Sequence, residues 1–139
     1  MRTAVAARLT LEAGAFLCGE SASTELSERG ARDFAEKLLA LGPKNVLVKM
    51  GARGAFLASG KSTRELLPAF KVHAVDSTAA GDAFNGGFAV RLMQGKPIGD
   101  ALRFASAVAA ISVTRKGAQP SMPTAREVVA FLRRAGAST

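Results

Sequence analysis

Tryptophan and tyrosine are both missing from this 139-residue chain, and glycine and alanine are plentiful. That disfavours an aromatic sandwich core and suits helices packed closely on a sheet. A single cysteine, Cys18, excludes an internal disulfide and fits a reducing compartment. In its apolar surroundings it reads as a small hydrophobe. The one histidine, His73, has no carboxylate cluster beside it, so a histidine-centred metal site is not expected and a strand-surface or half-buried position is. No apolar run reaches the roughly 18–20 residues that span a bilayer. The opening Met1–Arg8 carries basic and small residues without a signal-peptide core, so a cytoplasmic protein without membrane contact is expected.

Acidic residues are also in deficit, 11 against 19 basic ones, for a net charge of +8. Such a balance raises nucleic-acid binding as a function. The cations are scattered from Arg29 to Arg134, however, with no aromatic-interleaved basic run and no zinc spacing. Surface solvation and a polyphosphate ligand account for the charge, and no nucleic-acid partner is expected.

What is present is an alternation of helix and strand signals, the mark of an α/β layer structure. Ala31, Phe34, Ala35, Leu38 and Leu41 recur at helical spacing before the stop Gly42-Pro43. Asn45–Met50 reads as a buried strand ending at Gly51. Residues 54–58 and 64–67 read as two more, separated by a turn at 59–62. Helices are expected over 81–94 and 98–114, broken at Gly95-Lys96-Pro97, and a last one after Pro123-Thr124, where Thr124 and Glu127 form a capping box. Without repeats or linkers, residues 1–139 read as a single domain.

The densest chemical signal is Val75–Phe88. A β-rich run, Lys71–Val75, gives way to small residues, and a helix opens at Gly81-Asp82. Small residues there let backbone N–H groups approach an anion, and the helix dipole adds positive potential. A carboxylate in that place repels the anion unless it has another task. Taking a proton from an attacking hydroxyl is such a task, and base, nucleophile and anion hole together describe phosphoryl transfer. The plainer alternative is a strand–helix turn capped by Asp82.

The run Asp76-Ser77-Thr78-Ala79-Ala80-Gly81-Asp82-Ala83-Phe84 resembles the second signature of the ribokinase-like (PfkB) carbohydrate kinases, Asp-Thr-x-x-Ala-Gly-Asp-x-Phe, with Ser77 at the second place. Arg103-Phe104-Ala105 and Thr114–Ser121 are similar to the ribose-specific branch of that family. The resemblance covers the chain from about Glu12 onward. It implies a Rossmann-like three-layer α/β fold, of which this chain carries the C-terminal nucleotide-binding portion, with residues 1–11 an atypical lead-in. The implied activity is ATP-dependent phosphorylation of a sugar's primary hydroxyl, D-ribose to D-ribose 5-phosphate. The Asp82 carboxylate is then the catalytic base, and the backbone N–H groups of Ala79, Ala80, Gly81 and Asp82 itself form the anion hole.

For ATP, the resemblance implies contacts from Lys49, Met50, Gly51, Ala52, Arg53 and Gly54, together with Gly81, Asp82 and Ser106. Lys49 stands where the family carries threonine. Read alone, Gly51-Ala52-Arg53-Gly54 is equally a hairpin turn. The resemblance also implies a monovalent cation, K⁺, held by Asp76, Thr78, Ser112, Arg115, Gly117 and Ser121. For Asp76 a purely local turn-capping role stays open. The family's Asn-x-x-Glu motif, which organises Mg²⁺, is met at Glu12 only by its acidic end, because Leu9 occupies the Asn place, and the preceding segment does not read as a strand.

Members of the family are about twice as long and carry most sugar contacts in their N-terminal part. A sheet lacking that part exposes an apolar edge, which favours a homo-oligomer. Two alternatives stand beside the kinase: a non-catalytic nucleotide-binding remnant or partner-binding fragment, and a small basic nucleic-acid binder.

Overall fold

A computed structural model of the chain describes residues 6–9, as backbone, and 27–136. It divides into two compact units, Met1–Ala69 and Phe70–Thr139.

In the first unit four strands stand in the order of the chain: β1 (Ala6–Leu9), β2 (Asn45–Lys49), β3 (Ala55–Ser59) and β4 (Thr63–Leu67). β1 runs parallel to β2, with Ala6 opposite Asn45 and Leu9 opposite Val48. β2, β3 and β4 form an antiparallel meander in which Val48 faces Phe56 and Phe56 faces Leu66. β1 falls where the sequence showed no strand. Ala and Arg are weak strand formers, and pairing along β2 overrides that preference. Helix α1 (Glu28–Ala40) opens on Ser27, whose hydroxyl accepts the Gly30 N–H at 3.1 Å. It lays Ala31, Ala35 and Leu38 on Val46, Val48, Met50 and Phe56. Leu41, expected to extend that stripe, instead caps the helix and is 74% exposed, and Gly42 turns the chain away at φ 114°. Arg64 on β4 grips both carboxylate oxygens of Glu36 on α1.

The second unit holds α2 (Ala80–Met93), α3 (Ile98–Ser112) and α4 (Ala125–Arg134). Ala83, Phe104, Val108, Ile111, Val128 and Leu132 form its core, with Phe70 set edge-on to Phe131 at 5.1 Å. A Cβ on Gly87 of α2 would lie 2.9 Å from Val108 Cγ2, so glycine permits the close approach of α3. Lys71–Val75 is not a strand: the segment has no partner strand among the described residues, and without one a β-rich sequence builds no ladder. His73 within it is exposed. No helix among the described residues is long and apolar enough to cross a membrane.

Candidate functional site

Helix α2 begins without a side-chain cap; its N-cap residue is Ala79. The Ala80 N–H donates to the Ser77 carbonyl at 3.1 Å and the Ala83 N–H to Ala79 at 2.9 Å. Between them, the N–H groups of Gly81 and Asp82 have no backbone acceptor among the described residues, and neither does that of Ala79. These are the orphan donors of a helix start, at the positive end of its dipole. Of the four anion-hole donors expected from the sequence, Ala80 is thus turned onto its own loop, while the N–H groups of Ala79, Gly81 and Asp82 are uncommitted. Asp82 is exposed on the first turn and makes no hydrogen bond or ion pair with any described residue. The capping role that competed with catalysis is therefore not what its side chain does here.

Asp76, six residues earlier, has the opposite surroundings. Its Oδ1 accepts the Thr78 N–H at 2.9 Å and the Thr78 hydroxyl at 2.5 Å. Its Oδ2 accepts the Gly117 N–H at 2.8 Å, from 41 residues along the chain. The Thr78 hydroxyl, then the Gly117 and Thr78 N–H groups, stabilise the anion and hold its pKa at about 2. The Asp76 bonds are thus local, as in a turn cap, and also long-range. Alongside, the Val75 and Asp76 N–H groups both donate to the Val113 carbonyl, at 2.7 and 3.1 Å. Two loops, 75–79 and 113–121, are clamped together just ahead of α2.

All six residues expected to hold a cation lie in these two loops or at the end of α3. Arg115 N–H donates to the Ser112 carbonyl at 3.0 Å. The Ser112 and Ser121 hydroxyls, each 1% exposed, lie 3.1 Å apart, and Ser121 donates to the Ala118 carbonyl at 2.7 Å. Gly117 adopts φ 87°, a conformation that favours glycine. The donor set is all oxygen with one carboxylate, which fits a weakly hydrated monovalent cation better than a divalent one needing several carboxylates. No group of three or more His, Cys, Asp or Glu side chains suited to a metal occurs among the described residues.

The sequence-selected ATP residues are distributed over both units. In the first, Gly51–Arg53 form a short 3₁₀ turn joining β2 to β3, and the Met50 N–H donates to the Gly54 carbonyl at 2.8 Å. This is a hairpin turn, the alternative the sequence left open. Gly54, at φ 112°, has an internal reason to be glycine: a Cβ there would sit 2.0 Å from the Leu67 carbonyl oxygen. Ala52 and Arg53 are exposed, Lys49 is half-buried and Met50 buried. In the second unit Ser106 is half-buried on α3. Glu12 and Cys18 lie outside the described residues. An open cavity of about 720 Å³ in the first unit, lined in part by Glu36, Lys44, Ser59 and Arg64, includes none of these residues.

One contact was not visible in the sequence. The capping box at α4 is present, but the Glu127 carboxylate also accepts from Arg115 Nη2 at 2.5 Å. The only signal for it was the pair of opposite charges, which spacing alone does not connect.

Comparison with known proteins bears on this geometry. Residues 10–125 match the pattern of the pfkB family carbohydrate kinases. Haemophilus influenzae ribokinase is 43% identical over 116 residues, covering 84% of this chain and 36% of the relative. The crystal structure of Thermotoga maritima ribokinase superposes with a TM-score of 0.76 at 46% identity, covering 91% of this chain and 42% of that one. Arabidopsis thaliana ribokinase, solved with ribose and ATP, gives a TM-score of 0.81 at 33% identity, covering 91% and 40%. The fold is the Rossmann-like α/β fold of these kinases, and the chain spans well under half the length of the relatives it matches.

Proposed function

This chain belongs to the pfkB family of carbohydrate kinases, and on that premise we propose that it serves the ATP-dependent phosphorylation of a sugar's primary hydroxyl, with D-ribose the favoured acceptor. Residues 1–139 are read as the C-terminal part of one kinase domain acting in the cytoplasm. The observation that carries the reading is the start of α2: an exposed carboxylate that has no partner, beside N–H groups that have no backbone acceptor, among the described residues.

In the proposed step the Asp82 carboxylate accepts the proton of the sugar hydroxyl as that oxygen attacks the γ-phosphorus of ATP. The new O–P bond forms in line as the bond to the β-phosphate oxygen breaks, and ADP departs. The N–H groups of Ala79 and Gly81 stabilise the charge that develops on the transferring group. The Gly51–Gly54 turn, Lys49 and Ser106 serve nucleotide binding, and Mg²⁺ accompanies ATP as the usual phosphate counter-ion. The Asp76, Thr78, Ser112, Arg115, Gly117 and Ser121 loops hold K⁺, which supplies fixed positive charge beside the anion hole. Asp76 and its clamp keep loop 75–79 in the shape that opens α2 toward the anion.

Formation of ribose 5-phosphate from Mg-ATP and D-ribose tests the reading. Asp82→Asn is expected to lower turnover by about 10²–10⁴-fold while ATP affinity stays within about twofold. Undiminished turnover in that variant removes Asp82 from the role of base. A second reading is nucleotide binding without transfer, through the same Gly51–Gly54 turn and α2 start. It is the outcome if ATP binds but no sugar tried is phosphorylated.

A further inference from the structure

We propose that the Arg115–Glu127 pair is a positioning strut, by which α4 fixes the middle of loop 113–121 and so sets the carbonyls that hold the monovalent cation. The inference rests on the reading of that loop as a cation site.

Segment 113–117 runs on from α3, to which the Val113, Thr114 and Arg115 N–H groups and the Thr114 hydroxyl still donate, and beyond that helix it is tied at three points. At one end the Val113 carbonyl accepts the N–H groups of Val75 and Asp76. At the other, the Gly117 N–H donates to Asp76 Oδ2. Midway, Arg115 reaches Glu127 on α4. Arg115 is itself a proposed backbone ligand, so anchoring its side chain constrains the carbonyl it presents. The first two ties bind the loop to Val75 and Asp76; the third refers it to α4, a helix it does not continue from.

Exposed ion pairs ordinarily contribute little, because two long side chains must be ordered for one contact. Here half of that ordering is already done. Glu127 Oε2 accepts the Thr124 N–H at 2.7 Å and the Thr124 hydroxyl at 2.8 Å, and Thr124 Oγ1 accepts the Glu127 N–H at 3.3 Å. The capping box therefore holds the carboxylate, and its second oxygen is left facing Arg115.

Glu127→Gln separates the two duties. Its single side-chain oxygen goes to the two Thr124 donors, which leaves its NH₂ group facing the guanidinium. The cap survives and the strut does not. Thr124→Ala does the reverse: it removes the hydroxyl bonds of the cap but keeps the backbone N–H at 124 that holds Glu127 Oε2, so the carboxylate stays placed for Arg115.

The test is calorimetric unfolding of the full chain in KCl and in NaCl at matched ionic strength, with the K⁺ concentration for half-maximal stabilisation as the readout. We expect the wild-type melting temperature to rise with K⁺. Glu127→Gln and Arg115→Gln should each raise the K⁺ midpoint about tenfold, and the double variant should add nothing further. Thr124→Ala should melt lower in both salts with the wild-type midpoint. Wild-type midpoints in both strut variants overturn the strut and leave the cation site standing. An equal shift in Thr124→Ala overturns it too, because Glu127 then acts only through helix stability. If Glu127→Gln does not fold, Arg115→Gln decides the matter alone. A wild-type chain indifferent to K⁺ overturns the cation reading and the strut with it.

Discussion

Asp76 and Asp82 are separated by six residues and share a side chain, yet they have opposite lives. Asp76 accepts from three donors, one of them 41 residues away, whereas Asp82 is exposed and makes no bond to any described residue. The motif marked both positions, but nothing local distinguished a clamp from a free carboxylate, because the deciding donor comes from Gly117. The difference has a consequence in acid. Asp76 falls from an ordinary 3.8 to about 2 in the folded chain, and Glu127 from 4.5 to about 2. A depressed folded pKa stabilises fully above the unfolded value and is lost as pH falls through the folded one. The urea midpoint should therefore decline between about pH 4.5 and 2 as these carboxylates protonate. Asp76→Asn should flatten that decline, as followed by circular dichroism; an unchanged slope would show that the clamp contributes nothing to acid stability.

At the scale of elements, strong local signals were readable and partner-dependent ones were not. The capping box at Thr124 and Glu127 stands as expected, because all of its atoms lie within four residues. α1 ends before Leu41, within a residue of the sequence limit. Two segments went the other way. Lys71–Val75 has strand-forming residues but no strand to pair with among the described residues, and Ala6–Leu9 has poor ones but lies along β2. Pairing is a tertiary property, and propensity cannot anticipate it. The Gly51–Gly54 turn was legible as either a nucleotide loop or a hairpin; its geometry is a hairpin, whatever it binds. Gly54→Ala should be severely destabilising, since the new Cβ meets the Leu67 carbonyl at 2.0 Å at a φ of 112°. Strain and overpacking together suggest about 3 kcal/mol or more, readable from urea unfolding. A loss below about 1 kcal/mol would mean that β4 moves aside without penalty.

At the scale of the whole molecule, the family was legible because its most distinctive motif is contiguous, from Asp76 to Phe84. The clamp that shapes that motif, and the Arg115–Glu127 contact behind it, were not, because each joins positions far apart in sequence. The structure itself comprises two compact units, and residues selected for ATP fall in both. The matched relatives are two to three times as long. Nucleotide binding is the first step of the proposed reaction, and it is the first to test. Isothermal titration of Mg-ATP into the purified, folded chain, in K⁺ and then in Na⁺ buffer, addresses it directly. Saturable binding that is tighter in K⁺ and retained in Asp82→Asn is the expected result. A folded chain that takes up no ATP in either buffer would contradict the assignment of its loops to a nucleotide site.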